Sequence, residues 1–188
     1  MKRVLVDCDG VLVESIGQDW FNWLKCNFKF KKEFAYLITE NYKTVKLPYN
    51  LSTLFHTGDF HTGFEYWNDE FLYDSYTPLK DTQKCLDRLH IKGYDIVVVS
   101  KVIGNHYQSK ERFIKKYFPY AKFVVTEDKY LVKGDYFIDD SIAMINKMSE
   151  ETKVILYRRD YQQTEEVTRK DCMVAYDFND VYNLIVGD

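Results

Sequence analysis

Four cysteines in 188 residues, Cys8, Cys26, Cys85 and Cys172, form no C-x-x-C pair. Their scatter excludes a zinc knuckle and a thioredoxin-type motif, and without a signal peptide it points to a reduced compartment. No apolar run approaches the roughly 18 residues that suggest a membrane span. Met1-Lys2-Arg3 is followed by three apolar residues before Asp7, far short of a signal-peptide core. There is no internal repeat or low-complexity tract. Nor is there a basic excess: 26 Lys and Arg stand against 29 Asp and Glu, a net charge of −3. A strongly basic nucleic-acid footprint is therefore absent, which leaves room for a local patch, and a long strand-binding groove is disfavoured without being excluded. A soluble, cytoplasmic protein is expected, with no membrane partner and no long nucleic acid.

What is present is an ordinary globular balance, 46% hydrophobic and 29% charged, which excludes bulk disorder. The length fits one domain, or one domain with a modest insert. Short apolar runs punctuate the chain: Val4-Leu5-Val6, Ile96-Val97-Val98-Val99, Phe123-Val124-Val125, Tyr136-Phe137-Ile138, Val154-Ile155-Leu156 and Met173-Val174-Ala175. Runs of this kind fit strands buried on both faces, as in a parallel sheet. Helical spacing lies between them. Thr82, Cys85, Leu86 and Leu89 share one face before Gly93. Phe113, Ile114, Tyr117 and Phe118 do the same before Pro119. Ser141 reads as an N-cap for a helix to about Met148, and Asp177 or Asn179 opens a last helix. Strand alternating with helix predicts an α/β fold with a mostly parallel sheet.

Residues 14–78 break the rhythm. Ile16, Trp20, Trp23 or Leu24, and Phe28 open the stretch with helical spacing, but no Val/Ile strand run follows. Between Glu14 and Tyr76 lie 17 of the chain's 32 aromatic residues. A mainly helical, aromatic-rich cap is expected here, inserted after the first strand, with residues 1–13 and 79–188 forming the core. Most of these rings are expected to pack the cap, and a few to face a ligand at its boundary with the core.

Chemistry concentrates at strand ends. Asp7-Cys8-Asp9-Gly10-Val11-Leu12 places two carboxylates directly after a buried strand. Carboxylates this close repel unless a cation or shared proton relieves them, and Mg²⁺ favours a few carboxylates with phosphate oxygens and water. Alone, the segment reads equally well as a polar strand end with an Asp-capped turn. Asp139-Asp140 ends another run, Ser100 a third, and Lys129 follows the Phe123-Val124-Val125 run. Ligands of open α/β sheets bind outside the carboxyl ends of the strands, so acids, hydroxyl and lysine fall on one edge.

The order D-x-D-G-V-L, strand-Ser, Lys, strand-Asp-Asp resembles the haloacid dehalogenase (HAD) superfamily of phosphotransferases. Within it, the sequence is similar to the 5′(3′)-deoxyribonucleotidases. Val97-Val98-Val99-Ser100, Lys115-Lys116-Tyr117-Phe118, Thr126-Glu127-Asp128-Lys129 and Phe137-Ile138-Asp139-Asp140 carry the likeness, with Trp67 and Phe71-Leu72-Tyr73 before Pro78-Leu79. The resemblance implies a Rossmann-like core with a small cap and a Mg²⁺-dependent phosphomonoesterase acting on deoxyribonucleoside monophosphates. It implies Asp7 as nucleophile, Asp9 as acid and base, and Ser100 and Lys129 as phosphate-holding groups. Asp140, supported by Asp139, would bind Mg²⁺ with Asp7 and the backbone carbonyl of Asp9. Trp67 and Tyr73 would face the base, and Lys101 the substrate. Relatives in this branch are often dimers, so the resemblance extends to a homodimer.

Two departures stand out. Ser15 occupies a position eight residues after the nucleophile that is usually aromatic in the family, and Lys101 stands where the branch often has Ser. Residues 34–50 align poorly. Lys110 is the rival of Lys129 for the lysine role, since that spacing varies among branches of the superfamily, but in its lysine-rich helical stretch it is expected on a solvated face. His56, His61, His90 and His106 lack metal-ligand spacing and are expected to be structural or superficial. Alternative readings are a phosphatase acting on another small phosphate or on a polynucleotide 3′-phosphate, and a non-catalytic nucleotide-binding or interaction module.

Overall fold

The computed structural model describes residues 1–34, 47–159, 161–163 and 165–187. The chain opens with β1 (Arg3–Val6), then α1 (Gln18–Asn27), β2 (Lys29–Phe30), β3 (Leu47–Pro48) and β4 (Phe55–His56). After this insert come α2 (Thr82–Ile91), β5 (Asp95–Ser100), α3 (Tyr107–Tyr117), β6 (Lys122–Val125), β7 (Tyr136–Asp139) and α4 (Ile142–Lys147). The chain ends with β8 (Lys153–Tyr157), β9 (Tyr161–Gln162), β10 (Met173–Ala175) and α5 (Phe178–Val186).

Six strands form one parallel sheet in the order β10-β8-β7-β1-β5-β6. Its centre is β1, where Val4, Leu5 and Val6 are fully buried. Because helices cover both faces, consecutive residues of the strand are all apolar. Burying each is worth about 1.5–3 kcal/mol over exposure. Leu5 packs with Val97, Val99, Phe137 and Ile145 on one side, while Val4 and Val6 join the larger cluster on the other. One expectation changes at the edge. β6 has only one strand neighbour, and its Val125 is 43% exposed rather than buried on both faces.

The two helices with N-cap signals in the sequence start at them. Ser141 accepts a hydrogen bond from Met144 N, and Asp177 accepts from Asn179 N and Asp180 N. On α3 the buried stripe is Ser109, Lys110, Phe113 and Ile114, a 3.6-residue pattern that draws a lysine into the core.

Among its described residues the insert has one α-helix, short 3-10 turns and short strands. β2 and β4 pair antiparallel, and β3 pairs in parallel with β9 beyond the core sheet. Its rings pack edge to face: Trp20 against Trp67 with centroids 4.8 Å apart, and Phe30 against Phe55 at 5.0 Å. Trp20, Leu24, Phe55, Trp67 and Tyr73 share one apolar cluster with Val4, Val6 and Leu12. The two ends of the insert are pinned side by side, Leu79 N donating to Leu12 O at 2.8 Å.

Candidate active site

The carboxyl ends of β1, β5 and β7 adjoin because these strands are neighbours, and they bring Asp7, Ser100 and Asp139-Asp140 together. Asp7 N donates to Ile138 O at 2.9 Å, continuing the β1–β7 ladder to the first acid. Gly10 then turns the chain with φ 74°, a left-handed value that a Cβ would resist, and Leu12 N and Val13 N return to Cys8 O at 2.8 and 3.1 Å. This turn swings Asp9 away from the strand direction and separates the environments of the two acids.

Asp7 lies 2.7 Å from the Lys129 ammonium through Oδ1, and Cys8 N donates to the same oxygen at 2.7 Å. Lys129 also donates to Asp139 Oδ2 at 2.9 Å, while Ser141 N donates to Asp139 Oδ1 at 2.8 Å. Burial raises the Asp7 pKa to about 7 even against the lowering effect of Lys129, with Asp139 and Asp9 adding to the rise. For Lys129, burial works against the charge, and the Asp139 and Asp7 carboxylates override it, holding the ammonium above its ordinary range.

Asp9 has the opposite balance. Burial would raise it, but Lys110 lowers its pKa to about 2, helped by hydrogen bonds from Ser15 and Tyr73. Lys110 Nζ donates to Asp9 Oδ2 at 2.6 Å, to Ser100 Oγ at 3.0 Å and to Lys101 O at 3.2 Å. This overturns the expectation of a solvated lysine, since Lys110 is fully buried. The sequence did carry the signal. Lys110 stands three and four residues before Phe113 and Ile114, on the same helix face. Lys129 therefore serves Asp7 and Asp139, and Lys110 serves Asp9.

Asp7, Asp139 and Asp140 can present oxygens within 4.8 Å of one another. Both oxygens of Asp140 are enclosed without a hydrogen-bond partner among the described residues. Burial, then Asp139 and Asp7, push the Asp140 pKa well above the carboxylate range. A buried acid with no donor and two acidic neighbours is relieved by a cation, and an all-oxygen donor set suits a hard divalent one. Asp139, whose oxygens already hold Lys129 and Ser141 N, buttresses that site. Gln163 donates to the Asp140 carbonyl at 2.6 Å and accepts from Ile142 N at 2.8 Å, which fixes the backbone there. The Asp9 side chain does not join the acidic cluster.

A cavity of about 150 Å³ opens beside these acids. Asp7, Asp9, Ser100, Lys101 and Lys129 line its polar side, and Ile16, Trp20, Phe64, Trp67 and Ile103 its apolar side, with Tyr49, Asn50 and His106. Trp67 is thus placed at the cavity. Tyr73 is not: it is 1% exposed, and its hydroxyl donates to Asp9 Oδ1. A ring so enclosed, packed against His106, Phe113 and Tyr76, offers no face to a base. Lys101 borders the cavity and pairs with Glu127 at 3.1 Å.

His106 is buried, and its Nδ1 donates to Trp67 O at 2.8 Å, tying α3 to the cap. Gly104 makes the approach possible. A Cβ there would lie 2.2 Å from Asn68 Oδ1 and 2.9 Å from Trp67 O. Sequence reasoning placed Lys110 on a solvated face, marked Ser15 only as a departure from the resemblance, and held no sign of most of the apolar lining. An isolated ring in an aromatic-rich cap has no periodicity to mark it as lining rather than core. Of the poorly aligned stretch 34–50, residues 35–46 lie outside the described residues, while Tyr49 and Asn50 reach the cavity. Among the described residues no helix is long and apolar enough to cross a membrane.

Known structures share this fold. A HAD-superfamily hydrolase from Ehrlichia chaffeensis is 18% identical, with 100% of this chain and 98% of that chain covered at a TM-score of 0.54. A HAD family hydrolase from Deinococcus radiodurans R1, with bound phosphate and sodium, is 12% identical over 100% of this chain and 96% of that chain, TM-score 0.56. A putative beta-phosphoglucomutase from Thermotoga maritima is 8% identical over 100% and 99%, TM-score 0.59. At such identities the likeness establishes the fold. No curated protein matches the sequence significantly. The profile of the family described as "5' nucleotidase, deoxy (Pyrimidine), cytosolic type C protein" matches residues 1–188. The chain therefore belongs to that 5′ nucleotidase family, built on the HAD fold.

Proposed function

We propose that the protein is a Mg²⁺-dependent phosphomonoesterase that dephosphorylates deoxyribonucleoside monophosphates in the cytoplasm through an aspartyl-phosphate on Asp7. The observation that carries the reading is the junction of two unlike halves in one cavity. Acids and lysines of the sheet edge form one wall, and Trp20, Phe64 and Trp67 of the cap form the other. A phosphate suits the first and a flat base the second.

Asp7, Asp140 and the Asp9 carbonyl would hold Mg²⁺, with Asp139 behind them. The ion would supply positive charge that lets an anionic carboxylate meet an anionic phosphate. Lys129 keeps Asp7 oriented and, with Ser100, offsets charge on the phosphoryl oxygens. A carboxylate oxygen of Asp7 attacks phosphorus, and the bond from phosphorus to the sugar oxygen breaks. Lys110 holds Asp9 ionised beforehand, so the proton enters with the phosphate as its monoanion, and Asp9 passes it to the leaving oxygen. Asp9 then takes a proton from water as that water attacks phosphorus, freeing Asp7 and inorganic phosphate.

The test is a phosphate-release screen across deoxyribonucleoside monophosphates, ribonucleoside monophosphates and sugar phosphates, with and without Mg²⁺. Turnover is expected to be highest on deoxynucleotides and lost on chelation. Release from no substrate contradicts the reading, and preference for a 3′-phosphorylated oligonucleotide redirects it to polynucleotide ends.

A further inference from the structure

Asp9 is gripped from two sides. Oδ2 takes Lys110 Nζ at 2.6 Å and Ser100 Oγ at 3.3 Å, both from the core. Oδ1 takes Ser15 Oγ at 2.5 Å and the Tyr73 hydroxyl. These last two belong to the insert, Ser15 at its entry and Tyr73 at its exit. Ser15 and Tyr73 are each 1% exposed, so neither hydroxyl is satisfied by bulk water. Their burial beside a carboxylate is costly unless that bond is made. Tyr73 is held in turn by Phe113 and Tyr76, and the turn that carries it is anchored to α3. Arg112 of α3 grips Asp74 through two hydrogen bonds of 2.9 and 2.6 Å.

We infer that Ser15 and Tyr73 are positioning residues for Asp9, fixing the plane of its carboxylate so that leaving-group protonation depends on the seating of the cap. The inference rests on the proposed role of Asp9 as acid and base. A carboxylate held at one oxygen alone rotates about its Cβ–Cγ bond. Two further donors on the other oxygen remove that freedom, and proton transfer to a leaving oxygen is sensitive to displacements of this size. Neither residue needs to touch substrate. At Asp9 cap-borne and core-borne donors meet, so a displaced cap would loosen the acid without moving Asp7.

The contribution of a general acid grows as the leaving group becomes more basic, and this gives a readout that base recognition does not move. Neither probe carries a base: 2,4-dinitrophenyl phosphate has a good leaving group and phenyl phosphate a poor one. Tyr73→Phe keeps the ring and removes only the hydroxyl. It should lower kcat/KM for phenyl phosphate by about tenfold or more, while that for 2,4-dinitrophenyl phosphate changes less than about threefold. Ser15→Ala should shift the same ratio in the same direction, and the double variant should approach the ratio of Asp9→Asn. Unfolding would lower both substrates together, so the ratio isolates positioning. If Asp9→Asn shows the leaving-group dependence and both single variants keep the wild-type ratio, the inference is wrong and the role of Asp9 stands. If Asp9→Asn itself treats both substrates alike, the acid role falls and the inference falls with it.

Discussion

Lys110 and Asp9 form a partly buried ion pair, the ammonium 2.6 Å from Oδ2, the lysine side chain wholly enclosed and the carboxylate 18% exposed. The pair joins α3 to the turn after β1, and the lysine also reaches Ser100 Oγ and Lys101 O. Three segments of the site thus converge on one charge. Removing it strands a largely enclosed carboxylate.

Lys110→Met keeps the aliphatic stem and removes the charge. Breaking a fully buried pair costs about 3–5 kcal/mol, and with the carboxylate 18% exposed the loss here is expected to stay at or below the lower end of that range. Adding Asp9→Asn should recover part of that loss, because the stranded charge goes too. Urea unfolding of the wild type, both single variants and the double variant reads the coupling. Additive losses would show that the pair contributes no more than its separate packing.

The metal site can be tested without turnover. In the folded protein burial holds the Asp7 pKa at about 7, while an unfolded aspartate titrates near 4. Between those values the folded state keeps a proton that the unfolded state has lost. Its contribution to stability therefore falls as pH rises from about 4 to about 7. The Asp9 effect has the opposite sign and a separate window. With its pKa lowered to about 2, it stabilises above about 4 and loses that stability as pH falls toward 2. A cation bound to ionised Asp7 and Asp140 offsets the first effect. The rise in Tm on adding Mg²⁺ should be larger at pH 8 than at pH 5. Asp140→Asn should abolish the rise more completely than Asp139→Asn, since Asp139 already satisfies Lys129 and Ser141. Equal Mg²⁺ shifts at both pH values in all three proteins would contradict the assignment.

Trp67 lines the cavity and meets Trp20 edge to face at 4.8 Å. If it contacts the base, Trp67→Ala should weaken kcat/KM for a deoxynucleotide by about 1–3 kcal/mol, the range of base–aromatic stacking. Phenyl phosphate, which lacks a base, should lose little. Equal losses on the two substrates would make Trp67 purely structural.

Much of this architecture was legible because parallel strands covered on both faces leave continuous apolar runs. The strand ends then mark where chemistry collects. Val4-Leu5-Val6 led directly to Asp7, and Tyr136-Phe137-Ile138 to Asp139-Asp140. The caps at Ser141 and Asp177 were readable because each depends on one side chain and its own backbone. What stayed hidden depends on tertiary contact. Lys110 is set apart from Lys115 and Lys116 by helix face, not by residue type. Ser15 looked like a missing aromatic until the turn at Gly10 placed Asp9 beside it. Tyr73 carries a ring and a hydroxyl, and only packing decides that the hydroxyl serves the site while the ring is buried.

The most direct test of the account is the rate of phosphate release from deoxyribonucleoside monophosphates by wild type and Asp7→Asn with saturating Mg²⁺. The substitution keeps shape and removes the anionic oxygen required to attack phosphorus. Folding should survive, since one of several crowded acids loses its charge. The expected result is rapid, chelator-sensitive release by the wild type and a loss of at least about 10³-fold in folded Asp7→Asn. Near-normal turnover in that variant would contradict the mechanism.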